Sequence, residues 1–330
     1  AAAAPTRPRR ELTPEQAAAV AHPFESPLAI VAGAGSGKTE TLTRRVARAV
    51  EEGRSPTTVL VLTFSNKAAA ELRERLEGLL GAAAHAITCQ TFHGFALRLL
   101  RRHGAEAGLG DDFSIAGDAA QKAMVKRCCA DGRGEGDKEE ADREFRAVWA
   151  LVKRARSRGV DAAALDGRLG AVFKRYRAEL RAQKCVDFDD VVDRAAALLA
   201  DDRSACAAAC RRRYAVGFVD EFQDTSRNQL ALLRGIFATG RVTVVGDDDQ
   251  AIYGWRDALG DAFGAFARTF NGATRVALTR NYRSGGHVVA AAVAVVAAIE
   301  KRVPKTLRTD APAGERVVVV RVDGGPAAEA

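Results

Sequence analysis

Residues Ala32 to Thr39 read AGAGSGKT. A glycine-rich backbone can curl tightly enough to turn successive N–H groups inward. G-x-x-x-x-G-K-[ST] is the pattern in which such a curl holds phosphate oxygens. Ala32 stands in the first position, and Gly37, Lys38 and Thr39 fit the rest. Gly33, Ala34, Gly35, Ser36 and Gly37 would form the cradle. Lys38 would reach the β- and γ-phosphates, and Thr39 would ligate Mg2+. The apolar run before the loop and the helical pattern after it add a helix N-terminus, whose positive potential favours an anion. A plain glycine turn accounts for the loop alone but not for this flanking strand and helix. A dinucleotide turn is excluded. It needs G-x-G-x-x-G and an acid at the end of the next strand, whereas Lys38 replaces the third glycine and LVLTFS has no acid.

A second chemical cluster lies in AVGFVDEFQDT, where Asp220 and Glu221 close an apolar strand and Asp224 follows. Asp220 can hold Mg2+ directly or through water, and Glu221 can orient and deprotonate an attacking water. Acids in a solvated loop are common singly. Together with the GKT turn they point to hydrolysis of a magnesium-bound triphosphate.

These residues need strands and helices to position them. LAIVA precedes a helix with Leu42, Val46 and Val50 on one face, and TTVLVLTF precedes one carrying Leu72, Leu76 and Leu79. AVGFVDEF, NQLALLRGIF and RVTVVGDDDQ continue the rhythm. Apolar strands without alternation imply a parallel sheet covered on both faces, hence an α/β fold built of βαβ units. From 104 to 213 the pattern turns helical, with charged faces and no good strands, so we expect a helical unit inserted into the α/β domain. After TRVALTRNYRS, a long Ala/Val helix and the strand-like ERVVVVRV begin a further unit.

The chain has 330 residues, a net charge of +8 and a pI near 9.4, which fits an anionic partner such as nucleic acid or nucleotide. Its six cysteines form no C-x-x-C pair, so buried thiols are expected rather than a zinc or iron–sulfur site. The most apolar run, Val288 to Ile299, is too short to span a bilayer and reads as a buried helix. No membrane association is expected. AAAAPTRPRR, residues 1–10, reads as a disordered arm.

Seven motifs then stand in order: LTPEQ, AGAGSGKT, LTFSNKAAAEL, TCQTFHGFALRLLRRH, FVDEFQDTS, VGDDDQAIYGWRDA and LTRNYRS. On these the chain resembles the superfamily 1 DNA helicases of the Rep/UvrD/PcrA type over nearly its whole length. The resemblance implies a RecA-like first domain of residues 11–103 and 214–274, a helical insertion over 104–213, and the beginning of a second RecA-like domain over 275–330. It implies ATP and Mg2+ as cofactors. The expected partners are single-stranded DNA and single-strand/double-strand junctions, met inside the cell. It makes Gln16 the adenine reader and stacks Tyr282 on the adenine. Gln250 would bridge γ-phosphate and DNA, since an amide both donates and accepts. Arg283 would bind the γ-phosphate with its guanidinium fork. Phe64, Tyr253 and Trp255 would stack on bases, with about 1–3 kcal/mol per base, and His93 would help hold the strand.

Two positions depart from the family. Glu40 stands where an arginine usually contacts the base, and Ser65 where threonine is usual. No motif of the family's second RecA-like domain follows Ser284. That domain supplies a further arginine, and such a residue commonly contributes about 10³–10⁵ in rate. We therefore expect slow hydrolysis by this chain and modest binding of nucleotide and DNA. The reading is an ATP-dependent translocase, travelling 3′→5′ by resemblance and serving repair or recombination. The alternative is a nucleotide-gated DNA-binding module with little hydrolysis. No nuclease acids are seen.

Overall fold

The chain builds its sheet from apolar strands joined by helices. The computed structural model describes residues 11–110, 112–130, 138–157, 167–252, 258–299 and 302–320. α1 (Pro14–Ala21) opens on a capping box between Thr13 and Gln16. β1 (Leu28–Ala32) feeds α2 (Lys38–Glu51), β2 (Val59–Thr63) feeds α3 (Asn66–Leu80), and β3 (Thr88–Thr91) feeds α4 (Phe92–His103). The middle holds β4 (Ser114–Ile115), α5 (Asp118–Ala130), α6 (Lys138–Ser157), α7 (Gly167–Ala182), β5 (Cys185–Val186), α8 (Phe188–Ala200) and α9 (Ala205–Arg213). Then come β6 (Val216–Val219), α10 (Arg227–Ile236), β7 (Val242–Gly246), α11 (Ala262–Thr269), β8 (Thr274–Leu278) and α12 (Gly286–Val296).

Six strands form one parallel sheet in the order β3-β2-β6-β7-β1-β8. Both faces are covered, which is why the strands are apolar throughout. Ala29 and Val31 of β1 and Leu60 and Leu62 of β2 pack into one core, while Leu28, Ile30, Val59 and Val61 pack into the other. Leu42 and Val46 of α2 and Leu72 and Leu76 of α3 are buried in that second core, with Val50 and Leu79 against it. Parallel strands bring all their carboxyl ends to one rim. The glycine loop, Phe64, Asp220, Asp247 and Asn281 follow five of these ends.

Four expectations change. β8, placed at the start of the second unit, pairs with β1 instead, Arg275 opposite Ala29 and Ala277 opposite Val31. The sheet therefore continues past residue 274. The helical middle has its own core only from Ala116 to Leu180, built by α5, α6 and α7. α8 and α9 belong to the sheet's core, because Val191, Val192, Ala195 and Leu199 present an apolar stripe to it. The middle also contains a short parallel pair, β4 with β5. Finally, α12 is not a buried helix, and residues 315–320 form no strand. Only Val289 of α12 is buried, and Val295 and Val319 are 73% and 91% exposed. No backbone among the described residues pairs with 315–320. No helix among the described residues is long and apolar enough to cross a membrane. Five of the six cysteines are buried and all are unbridged.

Candidate functional site

The loop between β1 and α2 curls through two glycines in the left-handed region, Gly35 at φ 68° and Gly37 at φ 84°. Side chains are excluded there by neighbours as well as by torsion. A Cβ on Gly35 would lie 2.8 Å from Arg283 Cβ, and one on Gly37 would lie 2.6 Å from Gln16 Nε2. Gly33 lies outside the left-handed region, and its missing side chain makes room for Leu307. Ser36 Oγ closes the turn on the Gly33 carbonyl at 2.7 Å. The N–H groups of Ala34, Gly35, Gly37, Lys38, Thr39 and Glu40 donate to no acceptor among the described residues. Converging free amides at a helix start form an anion nest.

The neighbouring elements brace this nest. Gln16 is 5% exposed, its Oε1 accepting from Thr13 N and its Nε2 donating to Ser36 O, each at 3.1 Å. Both ends of the amide predicted to read adenine are thus engaged within the protein. Asn281 donates to Ala34 O at 2.7 Å, and Tyr282 N donates to Gly35 O at 2.9 Å. These bonds set the Asn-Tyr-Arg-Ser turn against the loop, and they leave Arg283 exposed beside Gly35. Tyr282 carries Arg280 over its ring at 5.3 Å. Arg45 is fully buried without a carboxylate. It donates to the carbonyls of Ala19, Val20, His22 and Pro23 and to Thr243 Oγ1, tying α1 to α2 and β7. Burial pushes its pKa down to about 9. Glu40 pairs with Arg44 one turn on, at 3.5 Å.

Across the nest stand the acids that follow β6. Lys38 Nζ lies 3.6 Å from Glu221 Oε2. Glu221 itself is in the left-handed region at φ 50°, a strained conformation for a residue with a Cβ and one that clusters at functional sites. Asp220 accepts the Glu221 N–H at 3.0 Å. Burial first and the Glu221 charge second push Asp220 up to about 7, and the same two causes push Asp224 up to about 6. Thr63 Oγ1 and Asp224 Oδ1 are buried with no hydrogen-bond partner among the described residues. Crowded carboxylates beside unsatisfied oxygens and free amides suit a divalent cation that carries phosphate. Mg2+ commonly takes only one or two protein ligands, and Thr39 and Asp220 are suited to the part.

A second acidic cluster follows β7. Asp247, Asp248 and Asp249 bring carboxylate oxygens within 4.8 Å of one another, a spacing that could hold a metal. A fully buried lysine fills it instead: Lys305 Nζ is 3.2, 2.5 and 2.8 Å from Asp247, Asp248 and Asp249. Arg302 grips Asp249 with two bonds of 2.8 and 2.7 Å, and Val303 N donates to Asp248. Burial alone would lower the Lys305 pKa, but its bonds to Asp248 and Asp249 prevail and raise it. Gln250 is exposed and donates to Asp247 Oδ2 at 2.6 Å. Gln223 links the two clusters, its Oε1 accepting from Asp247 N and its Nε2 donating to Glu221 and Asp224. Lys305 and Arg302 carry no sequence signal, and Gln223 and Asn281 lie inside quoted motifs without an assigned role.

Of the residues expected to meet DNA, Phe64 is 37% exposed at the end of β2, outside the core. His93 stacks on Phe188 at 3.9 Å with 18° between the rings, and burial pushes it down to about 4. The imidazole is therefore neutral at pH 7 and offers no charge to a phosphate. Phe188, 55% exposed in the acidic run DFDD, escaped the sequence reading. Tyr253 and Trp255 lie outside the described residues.

Sheet order, glycine loop and facing acids define an α/β RecA-like phosphate-loop fold. Residues 12–271 match the UvrD/REP helicase N-terminal domain, and the chain belongs to that family. It is 36% identical over 312 residues to the ATP-dependent DNA helicase PcrA of Leuconostoc citreum, covering 90% of this chain and 40% of that protein. It is 35% identical over 315 residues to DNA helicase II of Escherichia coli (strain K12), covering 93% and 43%. Against the ATP-dependent DNA helicase UvrD1 of Mycobacterium bovis the identity is 36% over 329 residues, covering 93% and 42%. The chain thus spans about two fifths of the length of these relatives.

Proposed function

We propose that this chain is the ATP-binding half of a motor that moves along single-stranded DNA. The observation that carries the proposal is the ring of free amides facing Lys38 and Glu221, with those two side chains 3.6 Å apart. In this reading the amides of residues 34 to 40 and the Lys38 ammonium receive the β- and γ-phosphates. Thr39 and Asp220 would hold Mg2+, which would neutralise phosphate charge. Glu221 takes a proton from the attacking water, its carboxylate held by Gln223. Arg283, exposed beside Gly35, approaches the γ-phosphate. Gln16 keeps the loop in shape with one N–H and one lone pair of its amide, which leaves a second of each to read adenine.

Gln250 and Asp247 join this site to the segment that would carry DNA. Phe64 and Phe188, both exposed, offer faces on which bases of any sequence can stack, a part that the family resemblance also gives Tyr253 and Trp255. The relatives' names support DNA as the track. Travel 3′→5′, a place in repair or recombination, action at junctions and an intracellular site rest on family resemblance.

Phosphate release from ATP, measured with and without oligothymidylate, tests the proposal. Release that DNA stimulates, and that Glu221→Gln abolishes while ATP binding persists, is the expected result. DNA affinity that responds to nucleotide without any release marks the chain as a nucleotide-gated binding module. A Lys38→Ala chain that binds and splits ATP normally overturns both.

A further inference from the structure

The site above occupies the rim where the strands end. A cleft of about 140 Å3 opens at the opposite rim. Its position follows from Tyr214, which lines it. Tyr214 lies two residues before β6, and its hydroxyl lies 3.4 Å from Thr88 Oγ1 at the start of β3. The cleft lies between the last turns of α4 and α9, with Arg98, Arg102, His103, Cys210 and Arg213 also in its walls.

The sequence makes this rim basic. α4 turns Phe92, Phe95, Ala96, Leu99 and Leu100 into the core and leaves Arg98 and Arg102, one turn apart, on its outer face. α9 ends in Arg211, Arg212 and Arg213. Cations at a helix C-terminus are favoured by its partial negative charge, about half an elementary charge per helix. Two helix ends thus answer about one charge, and three guanidiniums line the cleft. Among the described residues none of the three forms an ion pair. Arg98 donates to the Tyr214 hydroxyl at 3.0 Å and Arg213 lies 5.6 Å from the Tyr214 ring centre, an arrangement that aims both groups without neutralising them. Glu106, which His103 meets at 2.8 Å, also accepts from Ser204 and the Cys206 N–H. The uncompensated charge reaches Cys210 too, where a bond from Cys206 and then Arg98, Arg102 and Arg213 hold the thiol below its usual range.

Like charges gathered without counter-charges cost free energy unless an anion joins them. Guanidinium forks suit the paired oxygens of a phosphoryl group, and a tyrosine hydroxyl and an imidazole can add neutral bonds. We propose that this cleft is a second phosphate site, separate from the glycine loop, that takes a phosphoryl group from a nucleic-acid backbone or from free phosphate. It does not rest on the hydrolytic role of the other rim.

The test uses the full chain carrying Lys38→Ala, which removes the cation of the glycine loop and leaves its amides as a constant background in every variant. In one arm the affinity for fluorescent oligothymidylate is followed against salt. Arg98→Gln, Arg102→Gln and Arg213→Gln together should lower it, and the slope of log K on log salt should fall by about 0.7 for each phosphate that the protein no longer neutralises. In the other arm inorganic phosphate is added during thermal unfolding, and the rise in Tm should be smaller in the triple variant than in its Lys38→Ala parent. A change in the first arm assigns the cleft to the backbone, and a change in the second alone assigns it to free phosphate. Arg102→Gln, which breaks no hydrogen bond or ion pair among the described residues, must show part of the effect if the fold is not at issue. Unchanged values in both arms overturn the proposal. ATP splitting lost through Lys38 alone, with either arm positive, leaves the cleft standing.

Discussion

β6 ends in Asp220, Glu221 and Asp224, and its neighbour β7 ends in Asp247, Asp248 and Asp249. By sequence the two runs look alike: an apolar strand, then three acids within five residues. Their surroundings differ. The β7 acids are met by Lys305 and Arg302, and these bonds hold Asp249 below the usual carboxylate range despite its burial. Among the described residues the β6 acids pair with one lysine, and burial pushes Asp220 and Asp224 upward. A buried anion keeps its charge only when a cation answers it. The β7 cluster is thus a finished structural joint, and the β6 cluster is the one to which our proposal assigns a cation from outside the protein.

The largest expected effect is on the finished joint. Lys305→Met leaves Asp247 and Asp248 without their cation, Asp249 keeping Arg302, and should cost about 3–5 kcal/mol in chemical denaturation. If it costs no more than Lys38→Met, the two clusters are electrostatically alike and the contrast fails. Gln223, 4% exposed, serves both clusters. Its replacement by Ala leaves the Asp247 N–H unpaired, with an expected loss of about 1–3 kcal/mol. An unaltered midpoint would mean that the clusters are not linked.

Asp224 sharpens the contrast through pH. It releases its proton at about 6 when folded, against an ordinary 3.8. The folded state binds more protons between those values, so stability falls as pH rises from about 4 to about 6. Asp224→Asn should flatten that part of the profile and gain about 1 kcal/mol at neutral pH, allowing for its partial exposure. A wild-type profile that rises over this window contradicts the assignment. The smallest effect is expected from Lys38→Met. Glu221, its partner, is over a third exposed, so the loss should stay below about 1 kcal/mol in the same denaturation measurement while nucleotide binding disappears.

The phosphate loop, the acids of β6 and the α/β alternation were legible because each depends on local order: a strand, a turn, a helix start. β8 was misplaced because TRVAL is equally good as the last strand of one sheet or the first of another, and only pairing with β1 decides. α8 was read with the helical middle because its charges resemble those of the helices before it, while its apolar stripe faces the sheet core. Residues 288–299 read as a buried helix and ERVVVVRV as a strand because hydropathy reports what a segment can bury or pair, not what lies beside it.

Sequence by itself determined the chemistry available at one rim: amides that curl, a lysine that reaches, carboxylates at a strand tip. It could do so because each of the two runs is local: the amides and the lysine share one turn, and the carboxylates follow one strand within five residues. Only the tertiary structure decided which charges would be answered. Lys305 reaches the β7 acids from more than fifty residues away, and three arginines from α4 and α9 meet around one cleft with no acid among them. Neutralisation falls off with distance in space, which folding sets, and not with separation along the chain.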